Sequence, residues 1–313
     1  MDNAVFESEI ETDAANIPAS KIKIIWKSLH KKPSAIFGLS LILFFISVAI
    51  LSPWLAPVPK GSRDPYLIPE YGYSPEPKTP SRAHLFGTTE DQYDLYYGMV
   101  WGTRTALKVA LIVVGTSLLI GIFFGGLAGY FGGWVDEILM RFTDIILALP
   151  SLLLAVVIVA ISGPSLSHVM LSVTAVSWPS YARLLRGDVL AIKEREFIQA
   201  SRALGASHLR VFFRHILPNC VYPLLVLASL DMGSIVIIAA ALSFLGLGAP
   251  LGYADWGQLI SLSRNWILGS AGNPFAYWNT IFIPGAAIFL FVLGWNLAGD
   301  GLRDILDPRQ NKG

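Results

Sequence analysis

The chain has 313 residues, 54% of them hydrophobic and 14% charged, with a net charge of +1. Soluble domains carry about a quarter charged residues, so this composition points to a membrane protein, and its near-neutral balance gives nucleic acid no electrostatic footing. A single cysteine, Cys220, excludes an intrachain disulfide, and the five histidines (His30, His84, His168, His208, His215) are too scattered in sequence to suggest a metal site.

The first twenty residues are polar and acidic (Asp2, Glu7, Glu9, Glu11, Asp13) and lack the basic start and apolar stretch of a signal peptide. They read as a disordered tail. Five lysines follow between 21 and 32, closing a cytoplasmic segment at 1–33. Residues 34–59 carry no charge. About 20 apolar residues span a bilayer, so this stretch is expected to be the first transmembrane helix. Residues 60–104 form a polar, proline- and tyrosine-rich loop, too charged to enter lipid. It reads either as an irregular cap on the outer face or as a plain connector.

The second uncharged run covers 109–135, with Gly121, Gly125 and Gly129 repeating every four residues. Small residues at that spacing make one smooth helix face and allow close helix–helix approach. They do not make a phosphate loop, and G-x-x-x-x-G-K-[ST] occurs nowhere. A short charged turn (Asp136, Glu137, Arg141, Asp144) precedes a third expected span at 145–167 and a shorter fourth at 169–182, bounded by Arg183 and Arg186.

Residues 195–218 form a basic island between apolar segments, with Arg195, Arg202, Arg210 and Arg214. Phe197, Leu204 and Val211 recur every seven residues, one helical face, against Arg195, Gln199 and Arg202 on the other. Gly205 interrupts the pattern, and Ser207 is a fair N-cap for a second short helix ending before Pro218. Two readings are open for the island: an amphipathic helix lying on lipid headgroups, or a docking element. The fifth span is expected at 222–245 and encloses Asp231. Acids inside spans seldom face lipid, so Asp231 reads as a buried structural acid or as part of a water-filled path. Residues 246–278 hold Trp256, Trp266 and Trp278 but also Asp255 and Arg264, which suits a partly inserted, Trp-anchored segment better than a full span. The sixth span is expected at 280–298, with a charged tail at 300–313. Six spans put both ends on one side. Lys and Arg number 16 on the N-terminal side and 7 on the other, so the termini and the island are expected to be cytoplasmic.

The island resembles the EAA loop of the permeases of ABC importers: E-A-A, three residues, G, nine residues, then I-x-L-P. The matching positions are Gln199-Ala200-Ser201, Gly205 and His215-Ile216-Leu217-Pro218, with Gln199, Ser201 and His215 departing from the motif. Further stretches at 132–136, 177–183, 214–219, 242–248 and 296–304, with 86–89 and Asp91, are similar to the C-type (DppC/OppC) permease subunit of oligopeptide and dipeptide importers. The resemblance runs from about residue 22 to 308.

It implies an all-α polytopic membrane protein with six transmembrane helices: a type I importer fold with an extra N-terminal helix, a permease core at 105–299, a cytoplasmic coupling helix at 194–205 and an external re-entrant segment at 246–278. Glu196, Gln199, Ala200, Ser201, Arg202, Leu204, Gly205, Leu217 and Pro218 are the residues expected at an ATPase docking surface. Asp231 is the candidate for the translocation path and Gly121, Gly125 and Gly129 are candidates for helix packing. The chain itself is expected to be non-catalytic, with no cofactor and no metal of its own. ATP and Mg would sit on two ABC ATPase partners, beside a B-type permease and an extracytoplasmic solute-binding protein, in a prokaryotic plasma membrane.

Peptides are the family's default solute, and Asp231 could meet a peptide amine. Oligosaccharides such as cellobiose, nickel and glutathione are alternatives, nine Trp and eleven Tyr being compatible with sugar stacking or with interfacial belts. A secondary transporter would need paired ionisable residues or an inverted repeat, and an intramembrane hydrolase would need a nucleophile and a base on facing spans. The sequence offers neither.

Overall fold

A computed structural model of the protein describes residues 32–270 and 272–306. The acidic tail at 1–20, most of the 1–33 segment and the last seven residues of the charged tail lie outside the described residues. Among those described there are helices and four isolated bridge pairs but no β-strand. The helices are α1 (Pro33–Leu55), α2 (Leu95–Phe131), α3 (Gly133–Leu147), α4 (Ser151–Ser162), α5 (Leu166–Lys193), α6 (Glu196–Ala203), α7 (His208–Val211), α8 (Leu217–Phe244), α9 (Trp256–Ser261) and α10 (Asn279–Leu306).

Four stretches are long and apolar enough to cross a membrane: α1, α2, the continuous 208–244 segment and 279–304. The bent pair α3–α4 makes a fifth if it counts as one span. α1 exposes Leu43, Phe44, Ile50 and Trp54 to its surroundings, as a helix solvated by lipid does. Its other side lies along α10. Gly38 makes that approach possible, because a Cβ there would stand 2.7 Å from the Ala298 backbone nitrogen and 2.9 Å from the Gly294 carbonyl oxygen. Lys32 and Asp304 pair at the end of the same contact.

α2 begins earlier than its uncharged run. The Asp94 carboxylate accepts from the Tyr97 backbone N–H at 2.9 Å and caps it, so residues 95–104 are helical, not part of the preceding loop. Arg104, which would mark a loop by charge alone, stacks over Trp101 at 5.1 Å. Gly121, Gly125 and Gly129 line the α2 face that meets α5. Added Cβ atoms would lie 2.3 Å from Tyr181 Cβ, 2.3 Å from the Ala182 carbonyl oxygen and 2.8 Å from Val189 Cβ, respectively.

The region expected to hold spans at 145–167 and 169–182 is built differently. Gly132 and Gly133, both at positive φ (68° and 55°), turn the chain out of α2 into α3. α3 ends at Leu147, and α4 leaves it at 89°. Pro150 explains the break: it biases Leu149 away from helical geometry and cannot donate into the preceding turn. α4, with 12 residues, reaches only about 18 Å at 1.5 Å per residue, too short to cross alone. α5 is instead 28 residues long and runs straight through Pro179 and the Arg183/Arg186 boundary to Lys193.

The basic island also departs from its sequence reading. Its second short helix does not stop before Pro218. α7 passes through a π-helical turn (Phe212–Ile216) into α8. The wide turn absorbs the step into Pro218, whose missing N–H and ring would clash with a regular α register at Arg214. Asn219 Nδ2 donates to the His215 carbonyl at 2.6 Å.

The 56–94 loop folds as a cap interlocked with residues 246–278. Ile68 N–H donates to the Gly252 carbonyl at 2.8 Å, and Ala254 N–H to that of Tyr66 at 2.7 Å. Tyr66 and Tyr253 stack at 5.3 Å. Tyr277 donates to Glu76 at 2.6 Å, and that bond raises its hydroxyl pKa. α9 wedges into the bundle below: Trp256 packs on Phe45 of α1 and Phe291 of α10 (5.7 and 5.9 Å) and donates to the Met99 carbonyl of α2 at 3.2 Å.

Candidate functional site

α5 joins two features at its two polar parts. At its end is the island. α6 starts three residues after α5 and carries one fully buried anchor, Ile198. Gly205 follows at φ 80°, with its N–H donating to the Arg202 carbonyl at 2.9 Å, while Ala206 N–H reaches back to Ser201 at 3.1 Å. This is a glycine-terminated helix end, and no atom crowds the position a Cβ would take, so Gly205 is required for its backbone angle alone. Arg202 lies over the Tyr130 ring at 5.1 Å, and the Tyr130 hydroxyl meets His208 Nδ1 at 2.8 Å. These contacts set the hairpin against the end of α2.

The heptad reading of this stretch does not hold. Val211 is fully buried, but Leu204 is 89% exposed and Phe197 is half-exposed. Gly205 reverses the chain between them, so Leu204 and Val211 do not share a helix, and Ile198 is the residue that faces inward. Glu196, Gln199, Ala200, Arg202 and Leu204 are exposed, Ser201 and Leu217 are half-buried, and Pro218 is exposed. With Leu209 and Phe213, also exposed, they form a mixed apolar and basic surface at this end of the molecule. Gln199, in the motif's glutamate position, turns back to donate to the Glu194 carbonyl at 3.2 Å.

The second feature is a polar cavity of about 360 Å³ beside the middle of α5 and α8. Asp231 lines it with the hydroxyl-bearing residues Ser151, Ser177, Ser180 and Ser234. The α3–α4 bend supplies one wall through Ile146, Leu147 and Leu149. Behind Asp231 is Tyr181, fully buried against Gly121. Its hydroxyl lies beside the Asp231 carboxyl and has no other partner among the described residues. Sequence reasoning located Asp231 and missed the rest of the site. The signal was available in spacing: 177, 180 and 181 share one helix face, as do 231, 234 and 235.

Two ion pairs tie the wall to α5. Arg186 forms a two-pronged contact with Asp136 (2.5 and 2.6 Å), and Arg183 meets Asp144 at 2.5 Å. The charged turn expected from sequence is therefore the surface of α3, fastened to the helix that leads into α6.

Comparison with known proteins identifies the family and the fold. Residues 121–312 match the family described as the binding-protein-dependent transport system inner membrane component, and residues 20–70 match the N-terminal TM domain of oligopeptide transport permease C. The chain is 41% identical to a dipeptide transport system permease protein of Alkalihalophilus pseudofirmus, over 91% of this chain and 88% of that one. It is 39% identical to a probable D,D-dipeptide transport system permease protein of Escherichia coli (92% and 91% covered), and 35% identical to a glutathione transport system permease protein of Pectobacterium atrosepticum (91% and 90%). In fold it is similar to an inward-facing MetNI methionine ABC transporter, with a TM-score of 0.53 at 19% identity over 67% of this chain and 97% of that chain.

Proposed function

The chain belongs to the binding-protein-dependent transport permease family, in the branch of the C-type peptide permeases, and from that premise we propose that it forms half of the translocation path of an ATP-driven peptide importer, coupled to its ATPases through α6. It is a multi-pass membrane protein with the ABC-importer permease fold. The observation that carries the coupling reading is the hairpin at Gly205. It is held from inside by Ile198 and by Tyr130, presents Leu204 and Leu209 outward, and is continuous with the helix that borders the Asp231 cavity. Exposed apolar residues of that size beside basic ones suit a protein groove. Closure of two ATPase subunits would push α6, move α5 as a rigid rod and open or close the cavity wall. ATP and Mg would act on those partners, and a B-type permease would supply the other half of the path. A solute-binding protein would deliver the peptide from outside.

We count α5 as the sixth span. Its 28 residues reach about 42 Å, enough for the hydrocarbon core. It is less apolar than its neighbours because its sides face the glycines of α2, the helices α4 and α8 and the polar cavity, rather than lipid. Six spans return both termini to the cytoplasm, in agreement with the excess of Lys and Arg on that side.

Peptides fit better than sugars. Among the described residues no aromatic ring lines the cavity, whereas the aromatic residues near it are engaged with one another, Trp178 with Phe124 and Phe142. Nickel would need several ligands, and one carboxylate lines the space. The test is purification of the full assembly followed by reconstitution. ATPase subunits should accompany this chain, and vesicles should take up dipeptide only with ATP. Gly205→Glu should abolish uptake while ATP hydrolysis continues; uptake that survives it removes α6 as the coupling element.

A further inference from the structure

Resting on that reading, we propose that the Asp231 cavity is a binding site for the free α-ammonium group of the passing peptide, which makes an unblocked N-terminus a requirement of the path itself. The cavity combines one carboxylate with four serine residues and contains no Lys, Arg or His among its lining residues. The two arginines of the neighbouring helix face are already committed, Arg183 to Asp144 and Arg186 to Asp136. Asp231 is therefore an acid at membrane depth without a protein counter-charge among the described residues. Such a group is costly until a cation meets it.

An ammonium group suits the rest of the lining. It has three N–H donors, and the Asp231 and serine oxygens are acceptors on several sides. The serine hydroxyls can also donate to the carbonyl of the first peptide bond, which asks nothing of the side chains that follow. The apolar wall from the α3–α4 bend and α8 accepts side chains without choosing between them. Tyr181 is a positioning residue here. Its buried hydroxyl beside the carboxyl is the donor that orients Asp231. A fully buried polar group without any other partner is uncommon enough to need such an explanation.

The experiment is ATP-driven uptake of alanyl-alanine and of N-acetyl-alanyl-alanine by vesicles holding the assembled transporter, with binding of each to the solute-binding protein measured separately. Asp231→Asn keeps the shape and removes the charge. It should lower alanyl-alanine uptake by about tenfold or more, leave basal ATP hydrolysis and receptor binding unchanged, and leave the low N-acetyl-alanyl-alanine uptake as it was. Asp231→Glu should retain most of the uptake. If Asp231→Asn transports alanyl-alanine at the wild-type rate, the carboxyl is a neutral structural group and the inference is overturned, although the importer reading stands. If the wild-type assembly takes up no peptide, the importer reading itself falls, and the inference with it.

Should Asp231→Asn fail to assemble, Ser180 of α5, which lines the same cavity, decides the matter. Ser180→Lys introduces a resident ammonium and should lower uptake by about tenfold or more below Ser180→Gln, which adds similar bulk and removes the same hydroxyl without a charge. Equal rates in those two variants would equally overturn the proposal.

Discussion

Glycines in this chain serve two different physical purposes, and substitution separates them. Gly205 has open space around it and a left-handed backbone, so Gly205→Ala introduces no clash and costs about 1–2 kcal/mol of local conformational energy. The hairpin should shift its balance rather than unfold. The expected result is a melting temperature of the purified assembly within a few degrees of wild type, alongside a clear loss of ATP-driven uptake, since the altered turn is where force would enter. Gly125 has ordinary helical backbone but no space, with the Ala182 carbonyl oxygen 2.3 Å from where a Cβ would be. Gly125→Ala must push α2 from α5 and should cost about 1–3 kcal/mol as overpacking, read as a lowered melting temperature and reduced yield of folded protein. A Gly205→Ala assembly that melts as low as Gly125→Ala would contradict this division. The repeat of small residues was legible in the sequence because spacing alone defines a helix face. The angle at Gly205 was legible too, as a break in an amphipathic pattern. What sequence could not supply was the side of the hairpin that faces inward, because the seven-residue spacing of Phe197, Leu204 and Val211 presumed one unbroken helix.

At the scale of elements, the departures from expectation cluster where apolarity is a poor guide to geometry. Residues 145–167 read as one span because hydropathy does not register direction. Pro150 turns the chain by 89° there and divides the apolar run between the end of α3 and α4. α5 was read as half its length since its far half is polar, yet that half is held by ion pairs and by packing on the α2 glycines. On the proposed coupling route those pairs would give α3 a mechanical role. Asp136 is largely buried, its side chain 17% exposed, so Arg186→Ala leaves an unpaired acid and should cost about 1–3 kcal/mol. The sharper expectation concerns coupling. Reversing one charge, with Arg186→Asp or Asp136→Arg, should detach the cavity wall from α5 and raise the ATP hydrolysed per peptide imported. Reversing both should recover much of the ratio, because the contact is restored with opposite polarity. Single reversals that leave the ratio unchanged would make the pairs structural fastenings without a part in transmission.

For the whole molecule, charge and length decide the arrangement together. Among the described residues four stretches, or five with the bent pair, qualify as spans by apolarity, and an odd number would leave the two ends on opposite faces of the membrane. Lys32 at the start of α1 pairs with Asp304 near the end of α10, which brings the two described ends together, and counted on that arrangement Lys and Arg divide 16 against 7 in favour of the side that holds the island. The cap made by 56–94 and 246–278 argues the same way, because its interlocked loops tie the outer ends of α1, α2, α8 and α10 into one layer at the opposite end of the bundle from α6. On the proposed arrangement cap and hairpin would mark the two membrane faces. Cys220 is buried and is the sole cysteine of the chain, which makes the topology directly measurable by cysteine accessibility. Ser62→Cys, in the exposed part of the cap, should react with a membrane-impermeant maleimide on intact cells. Gln199→Cys, on the exposed face of α6, should react only after the membrane is opened. Removing the ATPase subunits should then speed labelling at Gln199→Cys, because on the proposed docking the partner would cover that face, and should leave Ser62→Cys unchanged. Labelling of Gln199→Cys on intact cells would reverse the orientation, and an odd span count would follow if the C-terminal end of α10, probed by Arg303→Cys, labelled from the side opposite to α6.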